Sequence, residues 1–200
     1  KLQTVSLKPL FENEYFSFCC GSVDLKNAGN PLKESFFISF YTGNLWYDSK
    51  KGLWHPEGEE WEGVFPWIPL RLRLCFHEKK IGLKMKITGP LALDRIQIVF
   101  PLDVEKWKWS DEEKNIDFTG QNQEIFYSAG LRQIPLKGES FEKAVFLFDG
   151  SDLKGGFLKT IEQTGEFVSL NYTWFCETSR FGVGEWVDLG SVAFKKGELS

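Results

Sequence analysis

A group of tryptophans and acidic residues in the first third of the chain has the composition of a sugar-binding site. The aromatic members, which fall within 22 positions, are Trp46, Tyr47, Trp54, Trp61 and Trp67. The polar residues interleaved with them are Asn44, Asp48, His55, Glu57 and Glu60. A flat indole covers the apolar face of a pyranose ring, while carboxylates and amides bond its hydroxyl rim. We expect Trp54, Trp61 and Trp46 to contact the sugar. Glu57 and Glu60 are expected on the hydroxyl rim.

The same tryptophans have a structural alternative. Aromatic side chains pack well on pleated surfaces, so they are also typical of a β-rich core. In that interpretation Trp46 and Trp67 end strands and cap the core, and only Trp54 and Trp61 are exposed.

The acidic residues of this segment suggest a second, catalytic hypothesis. Glycoside hydrolysis needs two carboxyl groups, about 5 Å apart in retaining enzymes and about 6.5–9.5 Å apart in inverting ones. The available carboxylates are Glu57, Glu59, Glu60 and Glu62. The chain would then be a glycoside hydrolase or a polysaccharide lyase. The simpler interpretation of the same residues is a solvated acidic loop.

Other catalytic chemistries find little support in the sequence. The two histidines, His55 and His77, are far apart along the chain, and no Gly-x-Ser-x-Gly nucleophile motif is present. Two separate histidines and scattered cysteines do not match the ligand spacing of a zinc site. Gly182-Val183-Gly184 is too short for a dinucleotide-binding loop. The sequence therefore predicts neither a metal nor a cofactor.

Composition and charge limit the classes of molecule that the protein is expected to bind. The net charge is -4, and the basic residues are dispersed, which argues against nucleic acid as the main partner. The longest apolar stretch, residues 64–70, is interrupted twice by proline, whereas a membrane span needs about 20 apolar residues. Carbohydrate is therefore the expected partner, and neither a nucleic acid nor a membrane is expected. The sequence does not indicate the oligomeric state.

Hydrophobic periodicity predicts the elements that must position these residues. Apolar side chains alternate with polar ones in most segments, as in residues 70–75 and 80–87, which is typical of half-buried strands. Further strands are expected at residues 14–23, 34–42, 93–100, 124–129, 143–148, 157–161, 166–176 and 186–194. Residues 103–114 have a helical alternative. The whole chain, residues 1–200, is thus predicted to be all-β, a single antiparallel sandwich of about ten to twelve strands, of the supersandwich or jelly-roll type.

The four cysteines, Cys19, Cys20, Cys75 and Cys176, do not suggest a disulfide framework. Adjacent residues of one strand point to opposite faces, so Cys19 and Cys20 are not expected to pair. Four free thiols are predicted, and they favour a reducing compartment such as the cytoplasm.

The last fifty residues resemble the end of a domain found in a known enzyme family. Gly156-Phe157-Leu158 precedes an aromatic alternation from Phe167 to Cys176, followed by residues 186–194 and Lys196-Gly197-Glu198. This order resembles the close of the N-terminal β-supersandwich that precedes the catalytic barrel in alpha-galactosidase-like glycoside hydrolases. The catalytic aspartates of that family lie in the barrel, so none is assigned here.

The resemblance implies a non-catalytic accessory domain of a sugar enzyme, or a stand-alone relative of one. Our first hypothesis is accordingly a carbohydrate-binding sandwich without catalysis of its own. The hydrolase or lyase is the second hypothesis. The third is a structural or interaction domain in which all the aromatic residues belong to the core.

Overall fold

The structure is a computed structural model. It describes residues 8–26, 32–103, 107–110, 115–116, 125–127, 133–138, 141–149, 157–164, 167–176 and 181–196.

Eighteen strands and one 3-10 turn make up the regular structure of these residues. The elements are β1 (Phe11–Glu12), β2 (Phe16–Cys19), β3 (Ser22–Leu25), β4 (Phe36–Thr42), β5 (Leu45–Asp48), the 3-10 turn (Ser49–Lys51), β6 (Leu53–Glu57), β7 (Glu60–Val64), β8 (Leu70–His77), β9 (Lys80–Ile87), β10 (Arg95–Pro101), β11 (Trp107–Ser110), β12 (Asn115–Ile116), β13 (Ile125–Tyr127), β14 (Gln133–Gly138), β15 (Phe141–Asp149), β16 (Phe157–Thr164), β17 (Phe167–Phe175) and β18 (Trp186–Lys196).

The predicted all-β sandwich is confirmed. Eleven of the eighteen strands have five residues or more, and the others are short additions at edges and turns. The described residues contain no α-helix. In the segment with a helical alternative, the structure describes strand β11, which pairs with β14. None of the described segments forms a helix with the length and hydropathy that crossing a bilayer requires.

The first sheet has nine strands in the order β1-β2-β3-β4-β10-β17-β16-β13, with β5 added beside β4. Strand β4 pairs with β10 along one edge, while its other edge is shared by β3 and β5. All of these pairings are antiparallel. The strands β5, β4, β10, β17 and β16 therefore lie side by side and present one continuous outer face.

The second sheet also has nine strands, in the order β12-β11-β14-β15-β18-β9-β8-β7-β6. The strands predicted over residues 70–75 and 80–87 are confirmed as β8 and β9, which form a hairpin with a tight turn at Glu78, whose φ is 46°. Strand β6 is the terminal strand of this sheet.

The hydrophobic core lies between the inner faces of the two sheets. Period-two alternation sends Ile81, Leu83 and Met85 of β9 inward, where each is almost completely buried, and leaves Lys80 and Lys84 exposed. Residues of both sheets belong to one buried cluster that includes Phe18, Phe40, Ile98, Leu170 and Tyr172 of the first sheet and Leu72, Leu74, Leu83 and Val192 of the second.

The strand expected over residues 14–23 is wrong in detail. The chain instead makes a hairpin of β2 and β3, and it turns at Cys20 and Gly21, whose φ angles are 44° and 87°. Gly21 permits this turn because it has no Cβ, and a side chain there would collide with the Ser49 carbonyl. Cys19 and Cys20 therefore do not alternate along one strand: Cys19 ends β2, and Cys20 lies exposed in the turn.

All four sulfurs are unpaired, as expected from the sequence. Cys176 is buried directly after β17, and burial raises the pKa of its thiol to about 12. Cys75 is partly buried, and burial together with the nearby Glu60 carboxylate raises its thiol pKa. These two thiols are therefore held in the protonated, weakly nucleophilic form.

The expected acidic loop at residues 54–62 is also wrong, because β6 and β7 form a regular hairpin there. Gly58 turns the hairpin with a φ of 62°. Pro56 lies within β6, where the missing N–H is tolerated because β6 is an edge strand. A proline and four glutamates had obscured the period-two pattern.

The chain crosses from the first sheet to the second through the 3-10 turn. Ser49 is completely buried there, and its hydroxyl donates to the Gly21 carbonyl at 2.6 Å and accepts from the Ile38 amide at 3.0 Å. The Ser49 carbonyl accepts a 2.9 Å hydrogen bond from the indole Nε1 of Trp54. The Trp54 indole rests against Gly63 of β7, where an added Cβ would lie 2.7 Å from Cζ2.

We expect Gly63→Ala to destabilise the protein by about 1–3 kcal/mol, because the new methyl group forces the Trp54 indole out of its position. Gly82→Ala is the matched control on the same sheet, since its Cβ would meet Cys75 at an ordinary 3.7 Å. Urea unfolding followed by tryptophan fluorescence measures both. Equal unfolding midpoints for the two variants would contradict the close packing at Gly63.

We expect Ser49→Ala to lower the free energy of unfolding by about 1–3 kcal/mol, because it leaves the buried Ile38 amide without its acceptor. Ser22→Ala removes a local hydrogen bond to the Cys19 carbonyl at a partly buried turn and serves as the control. Its expected loss is below about 1 kcal/mol. A Ser49→Ala loss no larger than that of the control would show that the crossover does not depend on this hydroxyl.

Candidate functional site

The β6–β7 hairpin separates the predicted sugar-binding residues onto two opposite faces. Trp61 pairs with Leu74 and faces the core with Trp54, whereas Glu57 and Glu60 pair with each other on the outer face. Tryptophans and carboxylates of this hairpin therefore cannot surround one sugar. The site expected from the sequence does not assemble.

Trp54 and Trp61 are core-packing residues rather than exposed platforms. Both are partly buried against the hydrophobic cluster. The Phe18 ring packs against both, at centroid distances of 5.2 Å to Trp54 and 5.7 Å to Trp61. The expectation that these two indoles are exposed is wrong. Among the tryptophans whose burial the structure describes, the exposed ones are Trp46 and Trp67, at 44% and 67%.

On the outer face of the second sheet, the acidic residues form a network with basic ones. Glu62 is the centre: its carboxylate lies 3.1 Å from His55 Nε2, 3.2 Å from Arg73 Nε and 3.6 Å from Arg71 Nη1. Only 2% of Glu62 is exposed. Glu60 contacts Arg73 at 3.6 Å and Lys84 at 3.4 Å. Both carboxylates are thus compensated by cations of neighbouring strands.

His55, Glu57 and Glu62 also bring three ligand atoms within 4.8 Å of one another. A divalent cation there would have to share Glu62 with two arginines, whose positive charges oppose it. The arrangement is explained by the charge network alone, and we assign no metal to it.

A groove of about 500 Å³ lies on the other side of the molecule, on the outer face of the first sheet. Its lining comprises Phe37, Ser39, Trp46, Arg95, Gln97, Val99, Glu162, Phe167, Ser169, Asn171, Thr173 and Phe175. Of the residues predicted from the sequence to bind sugar, Trp46 is the one that lines it.

Strand register arranges the groove residues in rows across the sheet. One row runs from Trp46 and Tyr41 through Arg95 to Phe175. The next row contains Ser39, Gln97 and Thr173, with Gln97 Nε2 donating to Thr173 Oγ1 at 3.0 Å.

Two further rows complete the groove. Phe37, Val99 and Asn171 form the third, and Ser169 and Glu162 belong to the fourth. The floor is thus made of short polar side chains, with larger aromatic ones around it.

Two polar atoms of the lining are buried without a hydrogen-bond partner in the part of the chain that the structure describes. One is the Asn171 side-chain oxygen, and the other is Nε of Arg95. Asn171 itself is only 2% exposed. Leaving a buried polar atom unpaired costs about 1–3 kcal/mol, so such atoms in a native protein call for a water or ligand partner.

None of the floor residues was expected from the sequence to be functional. The sequence does contain a pattern that marks these residues, since Ser39, Gln97, Asn171 and Thr173 are the polar members of strongly alternating strands. The same pattern describes any solvated strand face. What distinguishes this face is that β4, β10 and β17 are neighbours, which only the topology decides.

No family model, curated protein or solved structure matches this chain. The resemblance of the last fifty residues to the β-supersandwich of alpha-galactosidase-like enzymes stays a prediction.

The charge network yields a stability prediction. We expect Glu62→Gln to lower the free energy of unfolding by about 1–3 kcal/mol, because it removes the common partner of three basic side chains. Glu57→Gln is the matched control: its side chain is 52% exposed, and within the described part of the chain its ion pair is with His55 alone, at 3.6 Å. The control should change stability by less than about 0.5 kcal/mol. Chemical unfolding measures both, and a control that loses as much as Glu62→Gln would refute the central role of Glu62.

Proposed function

We propose that the protein binds oligosaccharides, without catalysing a reaction on them, in the groove on the outer face of the first sheet. The observation that carries the proposal is the combination of an exposed indole with a floor of short polar side chains. Trp46 supplies the indole, and Ser39, Gln97, Asn171 and Thr173 supply the floor. The proposal keeps the function expected from the sequence but moves its site.

The aromatic residues suit the apolar face of a sugar ring. Trp46 is 44% exposed, and its ring centroid lies 4.9 Å from that of Tyr41, which fixes one side of the indole and leaves the remainder accessible. Phe167, at 38%, is exposed at the other end of the lining. Stacking on such faces favours ligands with flat C–H surfaces, which pyranose rings have.

The floor suits the hydroxyl groups. Hydroxyl and amide side chains both donate and accept hydrogen bonds, as sugar hydroxyls do, so they can pair in either direction. The unpaired Asn171 oxygen is an acceptor that a sugar hydroxyl would satisfy. Burial of the floor strengthens each such bond, because little water competes for it.

The dimensions of the groove fit the same class of ligand. Its volume of about 500 Å³ is within the range of small-molecule sites, roughly 300–1,000 Å³. Along β17 the lining runs from Phe167 to Phe175, and at about 3.3 Å per residue this spans roughly 26 Å. An elongated oligosaccharide occupies such a length better than a single sugar.

The proposal includes no catalysis because the described lining of the groove does not contain a pair of carboxylates. Glu162 is the one carboxylate among the groove's described lining residues, whereas the two-carboxylate mechanism of glycoside hydrolysis needs a pair. The acidic residues of the β6–β7 hairpin belong to the opposite sheet, and Glu60 and Glu62 are compensated there by arginine and lysine.

We expect Trp46→Ala to weaken oligosaccharide binding at least about tenfold, since truncating an aromatic anchor commonly costs about 2 kcal/mol. Trp67→Ala is the matched control, because Trp67 is 67% exposed but does not line the groove. Isothermal titration with a panel of neutral and acidic oligosaccharides measures both. Binding by no member of the panel, or equal losses in the two variants, would contradict the proposal.

A further inference from the structure

We infer that the groove selects acidic oligosaccharides and holds the carboxylate of a uronic acid residue on the guanidinium group of Arg95. This inference rests on the proposed function, since it names the class of sugar that the same groove takes. It depends on four features: the position of Arg95, the lack of a carboxylate partner for its charge among the described residues, the unpaired side-chain oxygen of Asn171 and the distribution of charge along the groove.

Arg95 is held in a defined position between two aromatic rings. Its guanidinium carbon lies 5.4 Å from the ring centroid of Tyr41 and 5.1 Å from that of Phe175. The strand register explains this, because Arg95 pairs with Tyr41 of β4 on one side and with Phe175 of β17 on the other. A cation fixed in this way loses little side-chain entropy when it binds a ligand.

The positive charge of Arg95 has no carboxylate partner among the residues that the structure describes. Its Nε is buried and makes no hydrogen bond there. This differs from Arg71 and Arg73 on the second sheet, which both contact Glu62. A planar guanidinium matches a carboxylate with two parallel hydrogen bonds, so a ligand carboxylate supplies the missing partner.

Trp46 belongs to the same row of the sheet as Arg95, with Tyr41 between them. A sugar ring stacked on Trp46 therefore lies at the end of the groove where the cation is. Uronic acids carry their carboxylate on the pyranose ring itself, so one residue can use the indole and the guanidinium together.

Asn171 extends the contact to a neighbouring sugar. It pairs with Val99, four residues along β10 from Arg95, so the two groups are roughly 13 Å apart along the sheet. That separation exceeds a single pyranose ring. The Asn171 oxygen can accept only from a donor, which a sugar hydroxyl provides and a carboxylate does not.

The charge distribution favours a ligand with its acid at one end of the groove. Glu162 pairs with Ser169, six residues along β17 from Phe175, which places it roughly 20 Å from the Arg95 row. This distance exceeds the Debye length of about 8 Å at physiological ionic strength, so Glu162 does not repel a carboxylate at Arg95. One cation in the lining also suits a single carboxylate better than a heavily sulfated chain, which requires a cluster of basic residues.

The test is a titration with paired ligands: oligomers of galacturonate, glucuronate and mannuronate, each beside its fully methyl-esterified form. The ester keeps the sugar ring and removes the charge. We expect at least one acidic oligomer to bind the wild-type protein about tenfold or more tightly than its ester, since hydrogen bonds to charged groups contribute about 1.5–3 kcal/mol. The preference should shrink as sodium chloride is added.

Two variants assign the preference to a residue. Arg95→Gln should reduce the ratio of acid to ester affinity to near one, because the acid loses its guanidinium partner while the ester has no charge to lose. Arg71→Gln, the same substitution on the opposite sheet, should leave the ratio unchanged. Circular dichroism of both variants checks that the sandwich is intact, and an unfolded Arg95→Gln would be replaced by Arg95→Lys, which should retain the charge but lose most of the preference.

The outcomes separate this inference from the proposed function. Equal affinity for acid and ester, or a preference that survives in Arg95→Gln, overturns the inference and leaves oligosaccharide binding in place. Binding by none of the acidic or neutral sugars overturns the proposed function, and this inference with it.

Discussion

Ser49, a buried polar residue of the crossover turn, links the two sheets through hydrogen bonds. Its hydroxyl binds the β2–β3 turn and β4, while its carbonyl receives the indole N–H of Trp54 from the second sheet. A buried serine must satisfy both groups internally, so the 3-10 turn, Gly21 and Trp54 can take only positions compatible with one another. The close approach of Gly21 and Gly63 to these groups follows from that requirement. The relative placement of β4 and β6 therefore depends on the hydrogen bonds of Ser49.

The period-two geometry of β4, β10 and β17 builds the core and the groove at the same time. Ile38, Ile98 and Tyr172 fill the inner face, so the intervening Ser39, Gln97 and Thr173 must occupy the outer one. These side chains are shorter than the aromatic ones around them, which leaves a depression along the sheet. The groove is thus a consequence of side-chain size on a face whose direction is already fixed by the core.

The outer faces of the two sheets carry different kinds of polar side chains. On the second sheet, long charged side chains cover the strands and compensate one another, as Glu60, Arg73 and Lys84 do. On the first sheet, neutral polar residues form the floor, and Arg95 is flanked by aromatic rings instead of carboxylates. Charges that compensate one another have little capacity left to bind a ligand, whereas the polar atoms on the outer face of the first sheet can still bind one. This difference is the physical basis for placing ligand binding on the first sheet.

The sequence by itself determined the fold class and the positions of long strands such as β8, β9, β10 and β17, because the alternation of apolar and polar side chains is a local property that each strand carries. It also drew attention to the tryptophans and to Trp46 among them. It misplaced residues 14–23, where one predicted strand runs through the turn at Gly21, and residues 54–62, where Pro56 favours a loop over a strand. The tertiary structure alone decided which tryptophans are exposed and which outward-facing residues of different strands lie together. Trp54 is covered by Phe18, while Ser39, Gln97 and Thr173 come from strands far apart in the chain. A site formed across strands is a property of their order in the sheet, and strand order depends on pairings between distant segments that no local pattern records.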